Sequence, residues 1–151
     1  MREWGRLITA MVTPFDQDLN VNYSKAVELA KKLVEEGSTA LVVSGTTGEA
    51  PTLTAEEKCE LFKTLKREVN VPIIAGIGTN STKATIEMGK KAMESGVDGA
   101  LVVVPYYNKP NQEGLYAHFR AVAEEVDLPI MLYNVPSRTG GNMAAETSIA
   151  L

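Results

Sequence analysis

Ala40-Leu41-Val42-Val43-Ser44-Gly45-Thr46-Thr47-Gly48-Glu49 runs from four consecutive apolar residues straight into a turn of glycines and hydroxyls. Four apolar residues with no polar alternation describe a strand buried on both faces, which belongs to a parallel sheet covered by helices. Two glycines flanking two threonines let the backbone take positive φ and aim successive N–H groups at one anion, with the hydroxyls as further donors. A small carboxylate pocket is one reading of that turn, and a glycine-rich turn without a ligand is the other. Its place favours the pocket, because parallel α/β folds keep their ligands at the carboxyl ends of the strands.

Outward from this stretch the pattern repeats. Leu7 to Val12, Val71 to Ile77, Ala100 to Val104 and Ile130 to Tyr133 read as four more strands. Between them lie helical stretches with clear ends. Asn22 or Ser24 opens the first, which carries Val27, Ala30, Leu33 and Val34 on one face and is closed by Gly37. Thr54 with Glu57 forms a capping box ahead of Leu61, Leu65 and Val69. Ser81 and Gly96 bound the third helix, Asn111 leads into Leu115, Phe119, Val122 and Val126, and Met143 to Leu151 reads as one more helix.

Strand and helix alternate without a break. Gly37 to Val43 is echoed by Gly96 to Val103, and Val69 to Ile74 by Val126 to Met131, as repeated pairs of βα units would produce. The fold class is therefore α/β, of the (β/α)8 barrel type. A full barrel needs ~250 residues, so 151 residues supply about five units and the barrel is expected to stay unclosed. Residues 1–151 are read as the amino-terminal part of one barrel domain.

Composition narrows the function. A formal charge of −4 leaves no basic surplus for a nucleic-acid backbone. One cysteine, Cys59, cannot form an internal disulfide, and with one histidine, His118, it makes no zinc motif, so both are assigned structural or surface roles and no metal is expected. The start is not a signal peptide and no apolar run approaches ~20 residues, so a cytoplasmic protein without membrane contact is expected. Gly76-Ile77-Gly78 lacks the third glycine of a dinucleotide fingerprint, with Ser81 in its place, and Asp98 precedes a strand rather than ending one. Trp4 is expected near the bottom of the barrel.

The remaining unusual residues follow the fourth and fifth strands: Tyr106 and Tyr107 in Pro105 to Pro110, then Tyr133 and Arg138 in Tyr133 to Gly140. A tyrosine hydroxyl at a strand end can relay protons, and an arginine fork can hold a carboxylate bidentately. Loop packing of the tyrosines and a solvated arginine are the alternatives.

Taken together, Thr9-Ala10-Met11-Val12-Thr13-Pro14-Phe15, Gly45-Thr46-Thr47-Gly48-Glu49, Pro105-Tyr106-Tyr107-Asn108-Lys109-Pro110 continuing to Tyr116, and Tyr133 to Gly140 closely resemble the dihydrodipicolinate synthase and N-acetylneuraminate lyase family of class I aldolase-like enzymes, over the whole chain. The resemblance implies condensation of pyruvate with aspartate semialdehyde through a Schiff base, on the route to diaminopimelate and lysine, without a cofactor. It implies that Thr46 and Thr47 hold the pyruvate carboxylate and that Thr47, Tyr133 and Tyr107 form a proton relay, with Tyr107 coming from a neighbouring subunit. Arg138 would hold the carboxylate of the aldehyde, and the assembly would be a homo-oligomer, tetrameric in the full-length family. Asn80 and Tyr106 belong to a lysine-binding regulatory site on the same pattern. Inhibited members carry histidine or glutamate where this chain has Ala55, Lys58 and Ala84, so resistance to lysine is expected.

The family's imine-forming lysine lies on the sixth strand. Here the lysines from Lys25 to Lys91 fall in helical stretches and Lys109 in a proline-flanked loop. The chain is expected to carry binding residues without the nucleophile and to be inactive alone. Two alternatives stay open: a sugar-acid aldolase of the same family, which the Arg138 fork argues against, and a non-catalytic, self-associating partial barrel.

Overall fold

Every apolar run becomes a strand. In the computed structural model, which describes residues 4–151, β1 (Ile8–Ala10), β2 (Ala40–Val43), β3 (Ile73–Gly76), β4 (Gly99–Val103) and β5 (Ile130–Tyr133) form one parallel sheet in chain order. Ile8 pairs with Ala40, Leu41 with Ile73, Ile74 with Gly99 and Ala100 with Ile130. Helices α1 (Tyr23–Glu35), α2 (Ala55–Glu68), α3 (Thr82–Glu94) and α4 (Gln112–Glu125) connect successive strands. A sheet whose spatial order is its chain order, with a helix after each strand, is a (β/α) barrel in the making. Five strands make an open half-barrel, and among the described residues no strand pairs the outer edges of β1 and β5.

The expected helix starts are present. Asn22 Oδ1 accepts from Lys25 N at 3.0 Å, Ser81 Oγ from Ala84 N at 3.3 Å and Asn111 Oδ1 from Gly114 N at 2.9 Å. At α2 the capping box is complete: Thr54 Oγ1 accepts from Glu57 N at 3.1 Å, and Glu57 Oε2 accepts from Thr54 N at 2.8 Å. Each such cap satisfies N–H groups that have no partner within the helix, and contributes ~1 kcal/mol. Gly37 and Gly96 close α1 and α3 at φ 108° and 75°, a region open to glycine at little cost.

The outer face of the sheet, through Leu41, Val43, Ile73, Ala75, Ala100 and Val102, packs against Leu61, Phe62, Leu65, Phe119 and Val122 of the helices in one continuous core. The inner face carries a smaller cluster of Ala40, Val42 and Ile74 with Trp4, Ile8, Leu101 and Met131. The Trp4 ring occupies the space a side chain on Gly99 would need, so it does sit at the amino end of the strands. At that same end Asp98 Oδ2 accepts from Lys66 Nζ at 2.8 Å and from Ile73 N at 2.9 Å, tying α2 to the start of β3.

Four expectations change. The first strand is three residues long instead of Leu7 to Val12, and Leu7 and Val12 are 52% and 51% exposed. Similarly β5 is only partly buried along its length, whereas β2 and β3 are buried throughout. An edge strand has a neighbour on one side only, so burial on both faces holds for the middle of the sheet. The third strand also shortens, from Val71 to Ile77 to Ile73–Gly76. Finally, the loop after β5 contains a short helix, α5 (Pro136–Thr139), and the helix expected from Met143 begins at Ala145 as α6 (Ala145–Ala150). No helix among the described residues is long and apolar enough to cross a membrane.

Candidate functional site

The turn after β2 is built differently from the expectation that its glycines take positive φ. Positive φ falls one residue outside them, at Ser44 (55°) and Glu49 (57°). The glycines serve close approach instead. A Cβ on Gly48 would lie 3.1 Å from Met11 O and 3.2 Å from Thr13 Oγ1 in the loop after β1, and Thr13 Oγ1 donates to Gly48 O at 2.7 Å. Two further backbone bonds, Ala50 N to Gly45 O and Glu49 N to Thr46 O, both at 3.1 Å, fix the loop and leave Thr46 and Thr47 exposed at the rim.

On the neighbouring strand Gly76 passes against this loop with no space for a side chain: a Cβ there would overlap the Ser44 carbonyl and lie 2.8 Å from Gly45 N. The Ser44 side chain is buried, and its hydroxyl has no hydrogen-bond partner among the described residues.

These strand ends surround a cavity of about 240 Å³. Thr46, Tyr106, Tyr133 and Arg138 line it, with Thr79, Leu101 and Val103 on the same wall. Among the expected site residues, Thr47, Tyr107 and Asn80 are not part of that wall. Tyr107 is 89% exposed and held at φ 72°, turned away from its own cavity. Asn80 is partly buried and its carbonyl accepts from Asn108 Nδ2 at 3.1 Å, joining the loops after β3 and β4.

The loop bearing Arg138 is pinned from two sides. Pro136 starts α5, whose Arg138 N donates to Val135 O at 2.9 Å, and Thr139 Oγ1 donates to Gly141 O at 2.9 Å. From α4, Gln112 Nε2 donates to Asn142 O at 2.8 Å, while Gln112 Oε1 accepts from Ala144 N at 3.0 Å and Thr147 Oγ1 at 2.6 Å. Asn134 Oδ1 accepts from Met143 N at 3.1 Å.

The sequence reading sets Lys58 among the regulatory positions that the resemblance implies, and not in this wall. Lys58 lies on α2, as expected for a helical lysine, yet it lines the cavity. Burial holds its amine below the ordinary lysine range. The adjacent carboxylates are engaged elsewhere, Glu57 in the capping box and Glu56 with Lys91 at 3.4 Å. Among the described residues neither Lys58 nor Arg138 enters an ion pair, and no acidic side chain lines the cavity. A local sequence signal for the wall is proximity to the turn: Lys58 is one turn into the helix that the β2 loop feeds.

His118 stands apart from this site. It is 5% exposed between α3 and α4, with Nδ1 2.9 Å from Thr82 Oγ1 and its ring edge-on to Phe119, so its role is structural. No group of three potential metal ligands exists among the described residues. Hydroxyl donors, two cations and no carboxylate suit a cavity that binds a small organic anion and moves a proton at a tyrosine.

Comparison with known proteins gives the family and the fold. The model of the dihydrodipicolinate synthetase family matches residues 3–151. The 4-hydroxy-tetrahydrodipicolinate synthase of Moorella thermoacetica is 56% identical over 151 residues, covering 99% of this chain and 52% of that protein. Among solved structures, a dihydrodipicolinate synthase of Bacillus anthracis superposes with a TM-score of 0.97 at 50% identity, covering 99% of this chain and 52% of its own. That of Acinetobacter baumannii, complexed with pyruvate, gives a TM-score of 0.93 at 47% identity, covering 96% and 50%. The chain thus spans about half the length of the relatives it matches.

Proposed function

The chain belongs to the dihydrodipicolinate synthetase family, and from that premise we propose that it forms the first five βα units of a barrel enzyme condensing pyruvate with aspartate semialdehyde through a Schiff base. The observation that carries this reading is the convergence of Thr46, Tyr133 and Arg138 on one cavity at the carboxyl ends of the strands.

In this reading Thr46 and Thr47 bind the pyruvate carboxylate with hydroxyls and backbone N–H groups of their turn. Tyr133 passes protons to and from the imine as it forms and breaks, and Thr47 continues the relay to Tyr107. The outward position of Tyr107 suits a side chain that completes the cavity of a neighbouring subunit, which makes the working enzyme a homo-oligomer. Arg138 binds the carboxylate of the aldehyde on a separate loop, so the two substrates are anchored independently. None of β1 to β5 carries a lysine, so these units supply binding and proton transfer while the imine-forming amine comes from elsewhere in the barrel.

The test is Arg138→Ala in the whole enzyme. Charge-assisted bidentate contacts contribute about 1.5–3 kcal/mol, so kcat/KM for aspartate semialdehyde should fall roughly tenfold to a hundredfold while imine formation with pyruvate stays near normal. Arg138→Lys should restore only part, because it keeps the charge and loses the fork. An equal loss for both substrates would refute independent anchoring.

A further inference from the structure

The turn between β4 and α4 is strained at two of three consecutive residues. Tyr107 and Lys109 have φ of 72° and 45°, a region that residues with a Cβ seldom enter. Lys109 also precedes Pro110, whose ring restricts the backbone of the residue before it. Asn108 holds the turn from between them, its N–H donating to Tyr106 O at 2.9 Å and its Nδ2 to Asn80 O at 3.1 Å. Backbone strain persists where the surrounding structure over-determines it, and here it sets the direction of two side chains. Tyr107 goes out to solvent, and Lys109 goes to the next loop.

There it meets Gly140, the residue that ends α5 at φ 70°. A Cβ on Gly140 would lie 2.8 Å from Lys109 Cε, 3.6 Å from its Nζ and 3.8 Å from its Cδ, so the lysine stem occupies the face that a side chain would take. Lysine stems pack along such surfaces while the charged head keeps its water.

The contact falls on a segment that is otherwise self-contained. Among the described residues, the hydrogen bonds of residues 135 to 141 close within that stretch: Arg138 N and Thr139 N to Val135 O, Gly140 N to Pro136 O, and Thr139 Oγ1 to Val135 O and Gly141 O. Gln112 takes hold only beyond it, at Asn142, Ala144 and Thr147. A helix of four residues is far too short to be stable by itself, so α5 takes its position from what packs on it. Thr139 is buried, and the Lys109 stem covers the last residue.

We propose that Lys109 is a positioning residue for Arg138: its methylene stem clamps the end of α5 and thereby fixes the guanidinium at the cavity wall. Lys109 is not part of that wall, so it acts through Gly140 and α5 and touches no substrate. The inference rests on the reading of Arg138 as the anchor of the aldehyde's carboxylate, and adds the residue that sets the anchor's place.

Three variants separate the parts. Lys109→Met keeps the stem and removes the charge, and Lys109→Ala removes both. Lys109→Gly also removes both and takes φ 45° without strain, in case the alanine variant disturbs the turn. In the 151-residue chain, NMR should show the Thr139 and Gly140 amides exchanging about tenfold faster in the alanine and glycine variants, and at the parent rate in the methionine variant. In the whole enzyme, kcat/KM for aspartate semialdehyde should fall roughly tenfold or more in the alanine and glycine variants, stay near normal in the methionine variant, and leave imine formation with pyruvate unchanged in all three. Parent exchange rates in both the alanine and glycine variants overturn the clamp. Faster exchange with unchanged aldehyde kinetics, or equal losses for the two substrates, overturns the positioning of Arg138. A methionine variant as impaired as the alanine one overturns the role of the stem. Should Arg138→Ala itself leave the aldehyde kinetics unchanged, the reading of Arg138 as anchor fails instead, and the exchange rates still decide the clamp.

Discussion

Gly76→Ala offers the sharpest physical test of how the site is built. The added Cβ would overlap the Ser44 carbonyl oxygen and lie 2.5 Å from its carbon and 2.8 Å from Gly45 N, where unstrained carbon contacts are about 3.5–4.0 Å. All three are backbone atoms. They are held by the β2–β3 ladder, in which Val43 pairs with Ala75, and by the bond from Ala50 N to Gly45 O, so no side chain can swing away to make room. Relief requires the end of β3 or the Ser44 loop to shift by about 1 Å, and overpacking of that kind costs about 1–3 kcal/mol. Replacing glycine returns ~0.4–1 kcal/mol by narrowing the unfolded ensemble. At the middle of these ranges the net loss is about 1.3 kcal/mol, which for a chain of this size lowers the melting temperature by about 3–5 °C. The same shift displaces Thr46, so pyruvate should bind roughly tenfold more weakly or worse. Gly141→Ala is the control, because its Cβ meets nothing within 4 Å and its φ is not positive. Thermal unfolding by circular dichroism and pyruvate titration by NMR read both effects. A Gly76→Ala chain that melts within a degree of the parent and binds pyruvate equally well would refute the reasoning.

Other consequences are open to measurement. Burial holds the His118 imidazole below its ordinary value of 6.5, so the unfolded chain takes up this proton first as pH falls. The contribution of neutral His118 is therefore complete above pH ~6.5 and is lost as pH drops toward the folded-state value, with a slope of up to ~1.4 kcal/mol per pH unit. His118→Gln should remove that component of the pH profile in urea unfolding, and an unchanged slope would refute it. The unpaired outer edges of β1 and β5, with Leu7 and Val12 half exposed, favour association of the isolated chain. Sedimentation should show dimers or larger species, and a compact monomer that unfolds cooperatively would contradict this. The whole enzyme of the proposed reading should resist lysine, given Ala55, Lys58 and Ala84 at the regulatory positions that the family resemblance implies, and inhibition at low lysine concentration would count against it.

Much of this architecture is legible in the chain because its signals are local. Asn22, Thr54, Ser81 and Asn111 cap helices through atoms within three residues of themselves, and the apolar runs of β2 and β5 coincide with the strands to the residue. What was hidden depends on neighbours distant in sequence. The shortness of β1 reflects its place at the edge of the sheet, and the need for glycine at 76 arises from a loop on the adjacent strand. Helical periodicity places Lys58 on a face of α2 and says nothing of the cavity that face overlooks. The four residues of α5 are too few to show a period, and Pro136 reads equally well as a loop residue. Thr46, Tyr133 and Arg138 were legible as a set because each closes or follows a recognisable strand, and the barrel topology brings those ends together.

The plain order of the sheet has a kinetic side. Each strand lies beside the ones made just before and just after it, and every pairing is bridged by a single crossover helix. Contact order is accordingly modest for a parallel sheet, and no early strand must wait for a distant one in order to find its neighbour. On the ribosome, Thr46 and its loop can take shape as soon as β3 has emerged to press Gly76 against them, well before Arg138 is synthesised. The turn after β2, proposed above as the carboxylate site, would then be the first part of the site to mature, and ribosome-stalled chains ending after α3 should already protect the Ser44 to Gly48 amides from exchange.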